Sequence, residues 1–238
     1  MSTSDATARS PGLPDWKVIV TGGASGLGAA ICRGLEARGA SVVSIDLRRS
    51  DEVPTIEADL ADTGQAERAA LDALERLGGV DAVVCCAGTD VPGPFTEVDR
   101  KTWDRIVTVN LLSTAAVLRA VMPELERRSG RIMTVSSTLG HRAVGDASAY
   151  CASKFGVVGL TRALAAEYKG RVGVTLLTPG GMRTGFFDAR AEQYRPPADA
   201  DLASPDEVAD AVVWALSRPA SLEVKELTVM APGEGSWP

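Results

Sequence analysis

The sequence predicts an α/β fold: a doubly wound parallel sheet of about seven strands with helices on both faces. Three observations carry that expectation. Short β-branched runs alternate with helical stretches along the whole chain, as successive strand–helix–strand units require. The run 82–86 (Ala-Val-Val-Cys-Cys) is apolar throughout rather than alternating, which suits a strand covered on both faces. A glycine-rich turn, Gly22-Gly23-Ala24-Ser25-Gly26-Leu27-Gly28, joins the first strand to the first helix, where such sheets place a phosphate-binding loop.

In chain order, Lys17–Thr21 is the first strand and 29–38 the helix after the glycine turn. Glycines there let a backbone approach a pyrophosphate, and the helix N-terminus presents free N–H groups to its charge. Ser41–Asp46 is a second strand ending in a carboxylate. Asp46 can accept bonds from an adenosine ribose and repel a 2′-phosphate; without the glycine loop it would read as an ordinary turn aspartate. Thr55–Glu57, exiting through Asp59-Leu60, is a third strand. Thr63–Leu77 is a helix with Ala66, Ala69, Ala70, Ala73, Leu74 and Leu77 on one face.

The strand 82–86 ends at Ala87-Gly88. A long helix follows over 100–127 with Asn110 at mid-run, an awkward place for a side chain that competes for backbone hydrogen bonds. Arg131–Val135 delivers Ser136 and Ser137 at a strand's carboxyl end, where open α/β sheets bind ligands. The range 149–169 is a helix, and 172–177 a sixth strand closing on Thr178-Pro179-Gly180. The mixed-polarity stretch 183–202 reads as a partly mobile lid. Ser204-Pro205-Asp206-Glu207 is a capping box opening a helix to Leu216, 224–230 a last strand, and 231–238 a tail.

Tyr150 and Lys154 lie four apart on one helix face, which sets an ammonium beside a phenol. Lowering a tyrosine by about 3 units from its usual value near 10 takes roughly 4 kcal/mol. One cation about 4 Å away at an effective dielectric of about 20 supplies that order, against which burial would pull. The pair is then a workable proton-transfer group. Taken alone, the spacing equally describes a packed ring and a solvated amine. The glycine loop, Asp46 and the upstream serines favour chemistry.

With 238 residues and 45% hydrophobic content, the chain suffices for one substantial core. It is expected to comprise a flexible tail at 1–14 and a single domain at 15–238. A net charge of −6 and the lack of a long Lys/Arg run disfavour nucleic acid. No apolar run approaches the ~20 residues of a membrane span, so a soluble, cytoplasmic protein is expected. Cys32, Cys85, Cys86 and Cys151 lack metal-ligand spacing and read as apolar fillers in a reducing compartment; no metal site is expected.

With these residues assembled, the chain resembles the short-chain dehydrogenase/reductase family over about 17–230, and the resemblance implies a Rossmann-type fold. The family's glycine motif stands as Thr21-Gly22-Gly23-Ala24-Ser25-Gly26-Leu27-Gly28, its catalytic set as Asn110, Ser137, Tyr150 and Lys154, and its Pro-Gly motif as Pro179-Gly180. The resemblance implies Tyr150 as acid/base, Lys154 tuning it and binding the nicotinamide ribose, and Ser137 on the reacting oxygen. It implies that Asn110 distorts its helix and holds a water in a proton relay. Implied cofactor contacts are Gly22, Ser25, Gly26, Leu27, Gly28, Asp46, Ala87, Gly88, Tyr150, Lys154, Pro179 and Gly180. To these it adds adenine contacts from Asp59 and Leu60, a Met182 backbone contact, and Thr184 facing the carboxamide.

Ser25, where NADP-using members usually carry a basic residue, and Asp46 together point to NAD over NADP, although Arg48 and Arg49 could swing in. The four-residue Tyr–Lys spacing suggests interconversion of an alcohol and a ketone. Two departures stand out. Cys85-Cys86 replaces the family's Asn-Asn before Ala-Gly, and Met230-Ala231-Pro232-Gly233 replaces the C-terminal Gly-Gly of a subunit interface. A homodimer through the two long helices is expected more securely than a homotetramer. Thr138, Leu139, His141 and the lid residues Phe186, Phe187, Arg190, Tyr194 and Arg195 are expected to line the substrate pocket. Those arginines, with Arg142, would hold an anionic or polyhydroxylated substrate or else simply be solvated. His141 is expected to be solvent-exposed. The rival reading is a non-catalytic dinucleotide-binding regulatory protein on the same fold, set against by the survival of both Tyr150 and Lys154.

Overall fold

The computed structural model describes residues 13–237. Its sheet contains β1 (Lys17–Thr21), β2 (Ser41–Asp46), β3 (Thr55–Glu57), β4 (Ala82–Cys85), β5 (Arg131–Val135), β6 (Gly173–Pro179) and β7 (Glu226–Val229). They lie in the order β3-β2-β1-β4-β5-β6-β7, each neighbouring pair parallel. Strand order reverses between β1 and β4. Their pairing of Thr21 with Cys85 brings both carboxyl ends to one edge, where a crevice must open.

The sheet is buried on both faces. Val18 and Val20 point to one core with Leu27, Ile31 and Leu35 of α1 (Gly26–Glu36) and Val208, Val212 and Leu216 of α6 (Pro205–Leu216). Ile19, Val83 and Ile132 point to the other, against the alanine face of α2 (Thr63–Leu77) and Val117, Val121 and Leu125 of α4 (Ser113–Arg128). Leu164 and Ala165 of α5 (Ser148–Glu167) join that second core. The capping box forms as its residues dictate: Ser204 Oγ accepts from Asp206 N at 3.3 Å, and Glu207 Oε2 accepts from Ser204 N at 3.4 Å.

Several expectations need correction. The first helix begins at Gly26, so the last two motif glycines form its opening turn rather than preceding it. The long central helix is not regular: α3 (Arg100–Val107) passes into a π-helical turn at Thr108–Leu112 before α4 begins. That helical run, Arg100–Arg128, is long and apolar enough to cross a membrane by length and composition, contrary to the reading of the sequence. It packs as a core helix, with 56% of its most apolar window buried. Of the expected tail at 1–14, residues 1–12 lie outside the described residues, whereas Leu13 is fully buried among α1 and β2 side chains. The C-terminal stretch is no loose tail either. Ala231 is buried, Gly233 N donates to Asp201 Oδ2 at 2.8 Å, and Trp237 packs edge-on to His141 at 5.3 Å.

Candidate active site

A cavity of about 970 Å³ opens at the carboxyl ends of the strands, and one continuous wall joins the glycine turn to Tyr150 and Lys154. It is lined by Gly22, Ser25, Gly26, Leu27, Gly28, Asp46, Asp59, Leu60, Ala87, Gly88, Pro179, Gly180, Met182 and Thr184, every one of which the sequence singles out for cofactor contact. The glycines are required by close approach. A Cβ on Gly28 would stand 2.0 Å from the Gly22 carbonyl oxygen, and one on Gly22, at φ +75°, 2.8 Å from Ala87 Cα. Ser25 is the N-cap of α1 but its side chain makes no capping bond, so the first-turn N–H groups are left for a ligand. An uncapped helix start behind a turn that only glycine can form fits a dinucleotide pyrophosphate.

The two carboxylates on this side differ. Asp46 Oδ2 accepts from Ala24 N in the glycine turn and Oδ1 from Arg48 N, each at 3.0 Å, so the carboxylate is fixed at the end of β2. Asp59 is held by both Arg105 terminal nitrogens, at 3.0 and 3.1 Å. That guanidinium, then the Ala61 N–H, holds its carboxyl below the usual range. Leu60, beside it, is buried and apolar enough to pack on an adenine face. Thr184 Oγ1 accepts from Phe186 N at 3.3 Å, and Met182 pairs with Ala203 in a short bridge that anchors the start of the lid.

On the reacting side, α5 presents Tyr150 and Lys154, both buried, to the cavity. Lys154 Nζ donates to the Val135 carbonyl at 2.9 Å and stands 5.6 Å from the Tyr150 ring centroid. Burial lowers the ammonium to about 8, while Cys86 and Asp90 oppose that. Tyr150 moves the other way from the sequence expectation. Burial raises it to about 12, and the Ser137 hydroxyl is the largest influence pulling it down. The phenol is therefore neutral at pH 7, because desolvation outweighs the Ser137 hydroxyl and the Arg190 cation. Ser137 Oγ meanwhile accepts from Leu139 N at 3.1 Å.

Asn110 does not line the cavity. It is 1% exposed and both ends of its amide are engaged: Oδ1 accepts from Thr89 N at 2.8 Å, and Nδ2 donates to Thr89 O at 3.0 Å and Ser153 Oγ at 2.9 Å. The π-helical turn is the expected helix distortion, and it lets this side chain leave the helix to grip the loop after β4. The side chain acts as a brace between that loop and α5. Cys86, in place of the family's amide, lines the cavity, and burial pushes its thiol up to about 12, which keeps it unreactive.

The substrate side departs furthest from expectation. Thr138, Leu139, Phe186, Phe187 and Arg190 line the cavity, but His141, Arg142, Tyr194 and Arg195 do not. His141 Nε2 lies 3.2 Å from Thr178 Oγ1, with its ring against Trp237 rather than free in solvent. Arg142 holds the Gly235 carbonyl, and Arg195 ties together the Asp188 and Arg190 carbonyls, so these guanidiniums build walls instead of facing a substrate. The lid is pinned by Tyr194 Oη donating to Asp146 Oδ2 at 2.9 Å. Sequence reasoning missed Asp90, Glu234 and Ser236 in the lining. Ser236 Oγ donates to Thr138 Oγ1 at 2.8 Å and Glu234 Oε2 accepts from Gly181 N at 2.8 Å, so the C-terminal stretch closes one side of the cavity. Asp90, two residues past Gly88, carried a local signal as a charge beside a ligand loop.

Comparison with known proteins agrees with this geometry. Residues 17–195 match the short chain dehydrogenase family. The chain is 30% identical over 230 residues to the uncharacterized oxidoreductase MW2403 of Staphylococcus aureus, covering 91% of this chain and 97% of that one. It is 31% identical over 232 residues to the glycine betaine reductase ATRR of Emericella nidulans, covering 89% of this chain but only 18% of that far longer protein. Among solved structures, the aldohexose dehydrogenase of Thermoplasma acidophilum superposes with a TM-score of 0.84 at 26% identity, covering 91% and 93% of the two chains. The 3-ketoacyl-(acyl-carrier-protein) reductase of Brucella melitensis, solved with NADH, gives 0.82 at 26%, covering 92% and 98%. The alcohol dehydrogenase of Thermococcus sibiricus, solved with 5-hydroxy-NADP, gives 0.81 at 26%, covering 92% and 97%.

Proposed function

The chain belongs to the short-chain dehydrogenase family, and from that premise we propose that it is an NAD-dependent oxidoreductase interconverting a secondary alcohol and a ketone. The observation that carries the reading is the shared cavity: the glycine cradle and the Ser137, Tyr150 and Lys154 side chains line one space. Bound in the cradle, the dinucleotide supplies or accepts the hydride. The chain's own residues do the rest. Tyr150, protonated at neutral pH, donates its phenolic proton to a carbonyl oxygen as negative charge develops there, and the Ser137 hydroxyl holds the same oxygen. Lys154, fixed by Val135 O, keeps a cation beside the phenol and would hold the ribose hydroxyls of a bound dinucleotide. The burial of both groups keeps bulk water from the reacting centre.

The structural relatives support CH–OH chemistry, since an aldohexose, an alcohol and a 3-ketoacyl group each present a carbinol or its carbonyl. Asp46 supports NAD, because its fixed carboxylate at the cavity edge opposes a second negative charge on the ribose. The same reading takes the protein as cytoplasmic and as a homodimer or homotetramer. Leu112 and Phe155, apolar and exposed on the adjoining central helices, offer the kind of surface such a contact covers.

The decisive experiment is Tyr150→Phe with NAD(H) and a panel of secondary alcohols and ketones. Turnover is expected to fall by about 10²–10⁴-fold while dinucleotide affinity stays within a small factor. Unchanged turnover would overturn the acid/base role. Dinucleotide binding without turnover of any panel member by the wild type would favour the binding-protein reading.

A further inference from the structure

One carboxylate on the cavity wall has no counter-ion. Glu234 lines the cavity from the C-terminal stretch, half-buried, and its Oε2 accepts from Gly181 N at 2.8 Å. Its Oε1 accepts no hydrogen bond among the described residues and is not sealed from solvent. Nor does Glu234 form an ion pair among those residues, whereas the cations of the same wall are committed. Arg105 is held by Asp59, Arg190 by Asp90 at 2.7 Å, and Lys154 by the Val135 carbonyl, while Arg48 follows Asp46 at the glycine-turn end. Arg142 reaches the C-terminal stretch but holds the Gly235 carbonyl and lies outside the lining.

The stretch that carries this carboxylate is fixed. Gly233 N donates to Asp201 Oδ2 at 2.8 Å, Glu234 N to Ala231 O at 3.1 Å, and Ser236 Oγ to Thr138 Oγ1 at 2.8 Å. Two residues of chain reach at most about 7 Å, and Thr138 adjoins Ser137, so Glu234 and the reacting hydroxyls occupy neighbouring parts of one wall. The field there is negative. Carboxylates outnumber cations along the lining by five to four, and a bound dinucleotide adds the charges of its pyrophosphate.

We propose that Glu234 sets the charge of the substrate: the pocket takes a secondary alcohol or ketone that carries an ammonium group. The carbinol or carbonyl meets Tyr150 and Ser137, and the ammonium meets the open oxygen of Glu234. This deepens the oxidoreductase reading and rests on it for the carbinol contact. An anionic substrate would face an unpaired carboxylate with no uncommitted cation beside it, the reverse of the sequence expectation that arginines grip an anion. A neutral alcohol gains nothing from the charge. An ammonium pairs with it, and because the carboxylate is only half-buried the desolvation that opposes pairing is limited.

The test compares three alcohols of one shape and different charge: 1-amino-2-propanol, an ammonium at pH 7, its neutral isostere 2-butanol, and the anion 3-hydroxybutyrate. Their affinities for the protein saturated with NADH, where no oxidation can occur, are read by ligand-observed NMR on wild type and Glu234→Gln. The amino alcohol is expected to bind wild type at least about tenfold better than 2-butanol, with 3-hydroxybutyrate weakest. In Glu234→Gln, which keeps an oxygen for the Gly181 N–H, the first two should come within about twofold of each other while circular dichroism stays unchanged. Equal affinities in wild type, no binding of the amino alcohol, or a preference for the anion overturns the proposal. So does a Glu234→Gln variant that keeps the cation preference, or one that alters only NADH affinity, which would assign the carboxylate to the cofactor. Oxidation rates with NAD then separate the two readings. A cation preference in binding without turnover of any alcohol leaves the charge selection standing and removes the oxidoreductase reading. Turnover of both alcohols with equal affinity does the reverse. In a working enzyme the preference should appear in KM more than in kcat.

Discussion

Asn110 Nδ2 donates to Ser153 Oγ at 2.9 Å, tying the π-helical turn to the residue that precedes Lys154 on α5. The same amide holds both backbone groups of Thr89, so one side chain sets the spacing between the loop after β4 and α5. Asn110→Ala removes three hydrogen bonds and strands buried partners, each at about 1–3 kcal/mol. The expected outcome is a loss of about 3 kcal/mol or more in urea unfolding, with kcat falling further than dinucleotide affinity. Wild-type stability in this variant would refute the bracing role.

Lys154 carries a pH prediction. Its buried ammonium, lowered to about 8, is full at pH 6–7 and is lost as pH rises through that value. Dinucleotide affinity, which gains from that charge, is expected to weaken by about tenfold between pH 7 and 9.5, with no break near 8 in Lys154→Met. Isothermal titration across the range checks it. Folding stability follows the opposite sign. Between about 8 and the usual lysine value near 10.4 the unfolded chain binds more protons, so this group's contribution rises with pH across that window. Tyr150, raised to about 12, lowers stability as pH climbs from about 10.

The proposed preference for NAD rests on Asp46. Asp46→Ala should cut the NAD-over-NADP ratio of kcat/KM by about tenfold or more, since the repelling charge goes and Arg48 remains on the cavity wall. Asp46→Asn is the companion variant, because its amide oxygen keeps the bond from Ala24 N. A wild type that prefers NADPH would refute the premise.

Gly28→Ala sets a methyl 2.0 Å from the Gly22 carbonyl oxygen, a contact backbone alone must relieve. Dinucleotide affinity is expected to drop by about 100-fold or more, with a lower melting temperature. Fluorescence titration and thermal unfolding measure both.

Most of the fold was legible because it is written locally. The β-branched run of β1, the alanine stripe of α2 and the Ser204–Glu207 cap each act within a few residues. The cradle and the Tyr150–Lys154 pair were legible for the same reason. What escaped reading is long-range: Arg190 and Asp90 are 100 positions apart, and Ser236 and Thr138 are 98 apart, with no periodicity linking either pair. The state of Tyr150 escaped too. Spacing places the amine near the phenol, but only the packed structure shows that burial raises the phenol and that the amine is engaged with Val135.

The wide turn at Thr108–Leu112 also makes the central helix sensitive to length rather than to composition. Excising Val109 would remove the extra residue and restore ordinary winding, while the helical stretches on either side keep their facing. Asn110 would then be drawn back into the regular ladder and off Thr89 and Ser153, so a one-codon deletion at a buried, chemically bland valine should silence the protein more completely than many changes in its charged lid.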